Sequence, residues 1–175
     1  MKNLIYFPLF IGILLSCQSS NKVDEKKVIE HNTQLLNSLM VLWETGDTLR
    51  TIEIFSENCE YTDVANNTTL SGIVGVNRYI SHVHNWASNT QMTLRKVNVS
   101  ENMGYVEWTF TAVQSNPIKD RVPVATHKDI TLNGVTVAEF KDGKIQKAAD
   151  YMDVLGFVIQ LGSKVELPGG VVIGE

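Results

Sequence analysis

The sequence predicts one α+β domain, and three observations carry that prediction. Between Val28 and Trp86 the apolar residues recur mainly at helical spacing. From Gln91 onward the period changes to two, as half-buried strands require. Asp142-Gly143 then separates two such runs, a strong signal for a two-residue hairpin turn. Helices mixed with short strands, followed by an antiparallel meander, define the α+β class.

The chain opens with MKNLIYFPLFIGILLSC, in which Lys2 precedes an apolar run from Leu4 to Leu15. That run is too short for a comfortable membrane span and has the layout of a secretory signal. Leu14-Leu15-Ser16-Cys17 resembles a bacterial lipobox, which implies cleavage before Cys17 and a lipid on that cysteine. An ordinary cleaved signal or an N-terminal anchor helix is the alternative. The expected organisation is a signal peptide over 1–16, a lipidated tether over 17–26, a folded domain over 27–164 and a tail over 165–175. The polar tether has too few apolar residues to pack. The expected location is therefore the bacterial cell envelope, with the domain held at a membrane surface through its lipid.

Without the leader about 160 residues remain, enough for one domain with a real core. Losing Lys2 takes the formal charge from −4 to about −5. No block of basic residues occurs, so nucleic acid is not an expected partner. With Cys17 lipidated, Cys59 has no cysteine left to pair with and reads as a small buried residue.

The elements follow in order. Val28, Ile29, Leu35, Leu36, Leu39, Met40 and Trp43 fit an amphipathic helix that Gly46-Asp47 stops. Leu49, Ile52 and Phe55 suggest a second, short helix with those residues on one side. NCEYTDVA reads as a brief strand and NNTTLSG as a turn with a strand fragment. Val76, Tyr79, Ile80, Val83 and Trp86 restore helical spacing. QMTLRKVNVSE and GYVEWTFTAVQ are strands, the second with Val106, Trp108, Phe110 and Ala112 on one face. A polar loop from Ser115 to Thr126, with Pro117 and Pro123, is either a lid or an insertion. HKDITLNGVTVAEF and KIQKAADY form the final hairpin around Asp142-Gly143.

Several of these stretches, taken in order, resemble a known family. LWETGDTLRTIEIFSENCEYTD, LSGIVGVNRYISHV, and VAEFKDGKI followed by DVLGFVIQLG are similar to the SnoaL-like polyketide cyclases of the nuclear transport factor 2-like superfamily. The likeness spans about Lys26 to Gly162. It implies a cone-shaped barrel, a curved and mostly antiparallel sheet wrapped over about three helices, with a deep apolar pocket. It implies a homodimer formed through the outer sheet face. It also implies ring closure by an intramolecular aldol step with neither metal nor organic cofactor. An aspartate from the last strand would be the acid/base, and the matching position is Asp153. The family's usual Gly-Thr-His-x-Gly is absent after Trp108, where Thr109-Phe110-Thr111-Ala112 stands instead.

Two acids, Asp150 and Asp153, precede the apolar run that ends at Gly162. A base for a proton beside a carbonyl needs a raised pKa, which an apolar wall provides by penalising the charged form. Tyr151, Met152, Val154, Leu155 and Phe157 surround Asp153 with suitable groups. If the strand alternates regularly from Ile145, then Ala149, Tyr151 and Asp153 share a face and Asp150 points away. Asp150 would then cap a helix starting at Tyr151, with Leu155, Val158 and Ile159 as its buried stripe. Asp153 in a capping-box-like arrangement is the competing reading. Tyr61, Trp86, Trp108, His127 and Tyr151 are the candidate substrate-binding residues, each also explicable as core or surface. His82 and His84 lie two apart on a helix, face different ways, and find no completing cluster for a metal.

The expectation is thus a pocket for a small, largely apolar carbonyl compound. Any turnover would be cofactor-free aldol cyclisation, isomerisation or hydration with Asp153 as acid/base. A non-catalytic ligand-binding or interaction lipoprotein is the alternative.

Overall fold

The computed structural model describes residues 17–119 and 121–174, with side chains from Lys22 onward. The expected signal peptide over 1–16 and the side chain of Cys17 lie outside the described residues. Helix α1 runs from Cys17 to Thr45, so it begins well before the expected Val28 and makes the tether helical. Lys22 to Val28 are exposed, and Lys26 pairs with Glu30 one turn on at 3.7 Å. Burial starts in earnest at Leu35 and continues through Leu36, Leu39, Met40, Leu42 and Trp43. Gly46 ends the helix at φ +69°, a left-handed conformation that costs glycine nothing, and its N–H donates to Leu42 O at 2.9 Å.

A 3-10 turn over Thr48–Arg50 leads into the four-residue helix α2, Thr51–Ile54. Leu49 and Ile52 are 86% and 65% exposed while Phe55 is buried, so the three do not share the expected side; Thr51 and Ile54 are buried instead. The helix ends after one turn and Phe55 is already extended, so the three-residue spacing never builds a face.

Strands β1 (Phe55–Asp63) and β2 (Thr68–Ser71) form a hairpin, and α3 (Gly72–Trp86) follows. Strands β3 (Ala87–Val99), β4 (Met103–Gln114), β5 (Asp129–Lys141) and β6 (Lys144–Met152) complete the meander. The sheet order is β2-β1-β6-β5-β4-β3, and all pairs are antiparallel except β1 with β6. The sheet is curved but open, with β2 and β3 as its edges, so the cone is not a closed barrel. Asp142 and Gly143 join β5 to β6 with φ of 51° and 71°, as a type I′ turn requires.

The concave face holds Val106, Trp108, Phe110 and Ala112 of β4, as the period of two predicts. With Ile130, Leu132, Ala138 and Phe140 of β5 they join the core formed with α1 and with Val76 and Ile80 of α3. Gly134 pairs with Trp108 across the strands, and its missing side chain makes room for the indole. A Cβ there would lie 2.4 Å from two ring carbons.

Regular alternation fails in β6. Glu139 pairs with Lys147 but its neighbour Phe140 pairs with Ile145, leaving Gln146 as the extra residue of a β-bulge. Ile145 faces inward, Lys147 is exposed, and the inward positions thereafter are Ala148, Asp150 and Met152. Helix α4 (Val154–Gln160) begins after β6 rather than at Tyr151. Its expected stripe is not formed: Leu155 is exposed, Val158 and Ile159 are half-buried, and Phe157 packs on Trp86 with ring centroids 5.6 Å apart. The expected tail is a two-stranded hairpin of β7 (Val165–Leu167) and β8 (Val171–Ile173).

Candidate functional site

Between α1, α3, α4 and the concave face of the sheet lies a cavity of about 280 Å³. Trp43, Trp86, Trp108, Phe110, Met92 and Phe157 supply much of its apolar wall. The sequence holds three tryptophans and all of them line this one space.

Asp150 is set in that wall, 4% exposed, at the meeting of three strands. Its register partners are Thr136 on β5 and Asp63 on β1. Thr136 Oγ1 donates to Asp150 Oδ1 at 2.5 Å, and Tyr61 O–H donates to Oδ2 at 2.6 Å. Each hydroxyl in turn accepts an indole N–H: Trp108 Nε1 to Thr136 at 2.8 Å and Trp43 Nε1 to Tyr61 at 3.1 Å. The carboxylate is thus gripped by two tryptophan–hydroxyl relays, which fix its plane and leave neither of these two hydroxyls without a partner.

Burial dominates the titration of Asp150, pushing it from the ordinary 3.8 up to about 6. The bonds from Thr136 and Tyr61 act against that rise, and the nearby charge of Asp63 adds to it. Tyr61 and Tyr79 are both held far above the usual phenol range, first by burial and then by the negative charge of Asp150.

A second polar group occupies the adjoining wall. Asp63 is 2% exposed and accepts Asn66 N–H at 3.0 Å, Asn66 Nδ2 at 2.6 Å and Tyr79 O–H at 2.5 Å. Asn66 Oδ1 accepts from the guanidinium of Arg121. Arg121 comes from the Ser115–Thr126 loop, which the buried side chain of Gln114 pins at both ends. Gln114 Nε2 donates to Asn116 O and Val124 O at 2.5 and 3.0 Å, and Oε1 accepts from Thr126 N and Oγ1 at 2.5 and 2.6 Å. Ile118 of that loop is buried and bridges to Val122, so the loop closes one side of the cavity.

Of the residues singled out from sequence, Trp86 and Trp108 line the cavity, and Tyr61 stands directly behind Asp150. Tyr151 is 51% exposed on the opposite face of the sheet, and His127 is exposed just before β5 with φ +54°. Neither touches the cavity. The expected places of the two acids are exchanged. Asp153 is exposed and caps α4, its Oδ1 accepting Gly156 N–H at 2.8 Å, while Asp150 faces the cavity. The Gln146 bulge is the reason, since one extra residue reverses the side of every residue after it. His82 borders the cavity, whereas His84 packs on Gly46 and bonds to Trp43 O at 3.0 Å. Among the described residues no group of His, Cys, Asp and Glu is placed to hold a metal ion.

Sequence reasoning missed Asp63, Asn66, Tyr79 and Arg121 as neighbours. A hairpin, a helix and a distant loop bring them together, and no local spacing signals that.

No curated protein matches this sequence. Among solved structures, TsrD from Streptomyces laurentii is 21% identical with a TM-score of 0.68, over 76% of this chain and 96% of that one. A protein of Jannaschia sp. CCS1 assigned to the SnoaL-like polyketide cyclases is 14% identical with a TM-score of 0.69, over 77% and 93% of the two chains. TerC, co-crystallised with polyporic acid, is 15% identical with a TM-score of 0.62, over 76% and 99%. At these identities the likeness establishes the shared fold, that of the nuclear transport factor 2-like proteins. The SnoaL-like domain family itself matches residues 37–148, from the buried half of α1 to the inward turn of β6 just before Asp150, and the chain belongs to that family.

Proposed function

We propose that the protein binds a small, largely apolar carbonyl compound in this cavity and that Asp150 moves a proton beside the carbonyl. The observation that carries the reading is a buried carboxylate held by two hydroxyls in a mostly aromatic and aliphatic wall, where burial pushes it up to about 6. A carboxylate so placed is ionised at neutral pH yet far more basic than one in water, as removal of an α-proton requires. Its two hydroxyl partners stabilise the charge when the proton leaves again. That TerC was crystallised with polyporic acid supports an organic ligand for this fold. Aldol cyclisation and isomerisation both begin with such a step, so the reading leaves the final product open. Its setting would be the cell-envelope surface, with lipid on Cys17; a Cys17→Ser chain that still takes up labelled fatty acid refutes that part.

The test uses 2-nonanone as an apolar ketone. Saturable quenching of the cavity tryptophans shows binding, and exchange of the ketone's α-hydrogens for deuterium in D2O shows proton transfer. Asp150→Asn should abolish exchange while quenching persists. Binding without exchange in the parent protein would favour the non-catalytic carrier. A flat fluorescence titration would reject the pocket reading altogether.

A further inference from the structure

The polar cluster beside Asp150 includes a cation that the proton transfer does not use, Arg121. Asp63, Asn66, Tyr79 and Arg121 are joined by hydrogen bonds and, with Thr68, line the cavity. Arg121 is exposed, so it stands at the mouth, and its bond to Asn66 fixes where the guanidinium points. Asn66 is itself fixed by Asp63, which it contacts through both backbone and side chain. The loop that carries Arg121 is held by Gln114 from within the core. A long, flexible cation has thereby been given a defined position, at the cost of its side-chain entropy.

We propose that Arg121 is a specificity-determining residue that receives a carboxylate on the ligand at the cavity mouth, the ligand's apolar body lying inward against the tryptophans. The inference rests on the binding reading above and adds the chemical class of the ligand, an apolar carbonyl compound that is also an acid. A guanidinium offers five N–H donors in a planar fork, and the bond to Asn66 engages one nitrogen only. Two carboxylates in the same wall do not forbid an anion. Asp63 accepts three hydrogen bonds, which spread its charge, and Asn66 stands between it and Arg121. Asp150, beside Asp63 on the neighbouring strand, is 4% exposed, and each of its oxygens accepts from one hydroxyl. His82, also at the cavity, adds no negative charge.

Octanoate and 2-nonanone test this, because they share one alkyl chain and differ in carrying a carboxylate or a methyl ketone. Both are titrated by tryptophan fluorescence at neutral pH and low salt into the parent protein, Arg121→Gln and Lys119→Gln. The expected result is octanoate binding about tenfold more tightly than 2-nonanone, a margin of the size that a charged hydrogen bond gives. Arg121→Gln should erase the margin by weakening octanoate alone, Arg121→Lys should keep part of it, and Lys119→Gln should leave it intact. Added salt should narrow it. Equal affinities in the parent, or a loss in Arg121→Gln shared by both probes, overturn the inference while the pocket reading stands. An equal loss in Lys119→Gln also overturns it, since the margin would then be a general surface field. Failure of both probes to bind overturns the pocket reading and this inference with it.

Discussion

Replacing Asp150 with asparagine should change how stability depends on pH, by an amount the site itself sets. Folding raises the carboxyl from 3.8 to about 6, so the folded chain holds this proton more tightly than the unfolded chain. A raised acid contributes stability that is complete only well below 3.8 and is lost as pH climbs from there through about 6. The full loss is about 3 kcal/mol, of which about 2.5 kcal/mol falls between pH 4 and 7.5. Asparagine removes this titration. It also leaves one of the two hydroxyls, Tyr61 or Thr136, without its acceptor, a cost of about 1 kcal/mol at every pH. Urea unfolding of both proteins at pH 4, 5, 6 and 7.5 separates the two effects, because the other carboxylates are common to both and cancel. Relative to the variant, the parent should lose about 2.5 kcal/mol across that range, so the variant gains ground at neutral pH. Parallel curves, whatever their offset, would refute the claim that Asp150 is desolvated, and with it the basis for its use as a base.

Three further outcomes follow from the same geometry. Tyr61→Phe strips a donor from Asp150 and an acceptor from Trp43 Nε1; it should cost about 1–3 kcal/mol and move the pH-dependent loss above pH 6, checked by the same urea series. Asp153→Ala should cost about 1 kcal/mol through the lost cap of α4 with ketone binding unchanged, whereas Asp153→Asn, which also caps, should be nearly neutral in thermal melts. Gly134→Ala should push on the Trp108 ring, lowering stability by about 1–3 kcal/mol and weakening 2-nonanone quenching; a normal melt and titration would mean the indole has room to move.

Much of the fold was legible because its signals are local. The alternation of β4, the apolar spacing of α3 and the Asp142-Gly143 turn each specify one element without help from the rest. Where the prediction slipped, a nonlocal arrangement had intervened. Leu49 and Ile52 look like a helix stripe, yet the chain turns into β1 before a stripe can form. Asp153 was placed in the pocket by counting in twos from Ile145, and the count crosses the bulge at Gln146. One sign of it was present in the sequence: regular alternation from Ile145 would have put Lys147 inside as well. The cluster around Arg121 left no such sign, because its members sit on a hairpin, a helix and a loop whose meeting is a property of the closed structure.

The bulge in β6 behaves like a reading frame in space. With Gln146 bulged out of the ladder, the residues offered to the interior after it are Ala148, Asp150 and Met152; were Gln146 paired in the ladder instead, the set would become Lys147, Ala149, Tyr151 and Asp153. Pairing Gln146 would therefore exchange one candidate acid for the other without altering either, whereas deleting it would straighten the ladder and keep Asp150 inside. Chains of this fold of equal length that differ only in whether this strand bulges can carry identical aspartates and present different chemistry, so matching them by letter alone pairs groups that face opposite worlds.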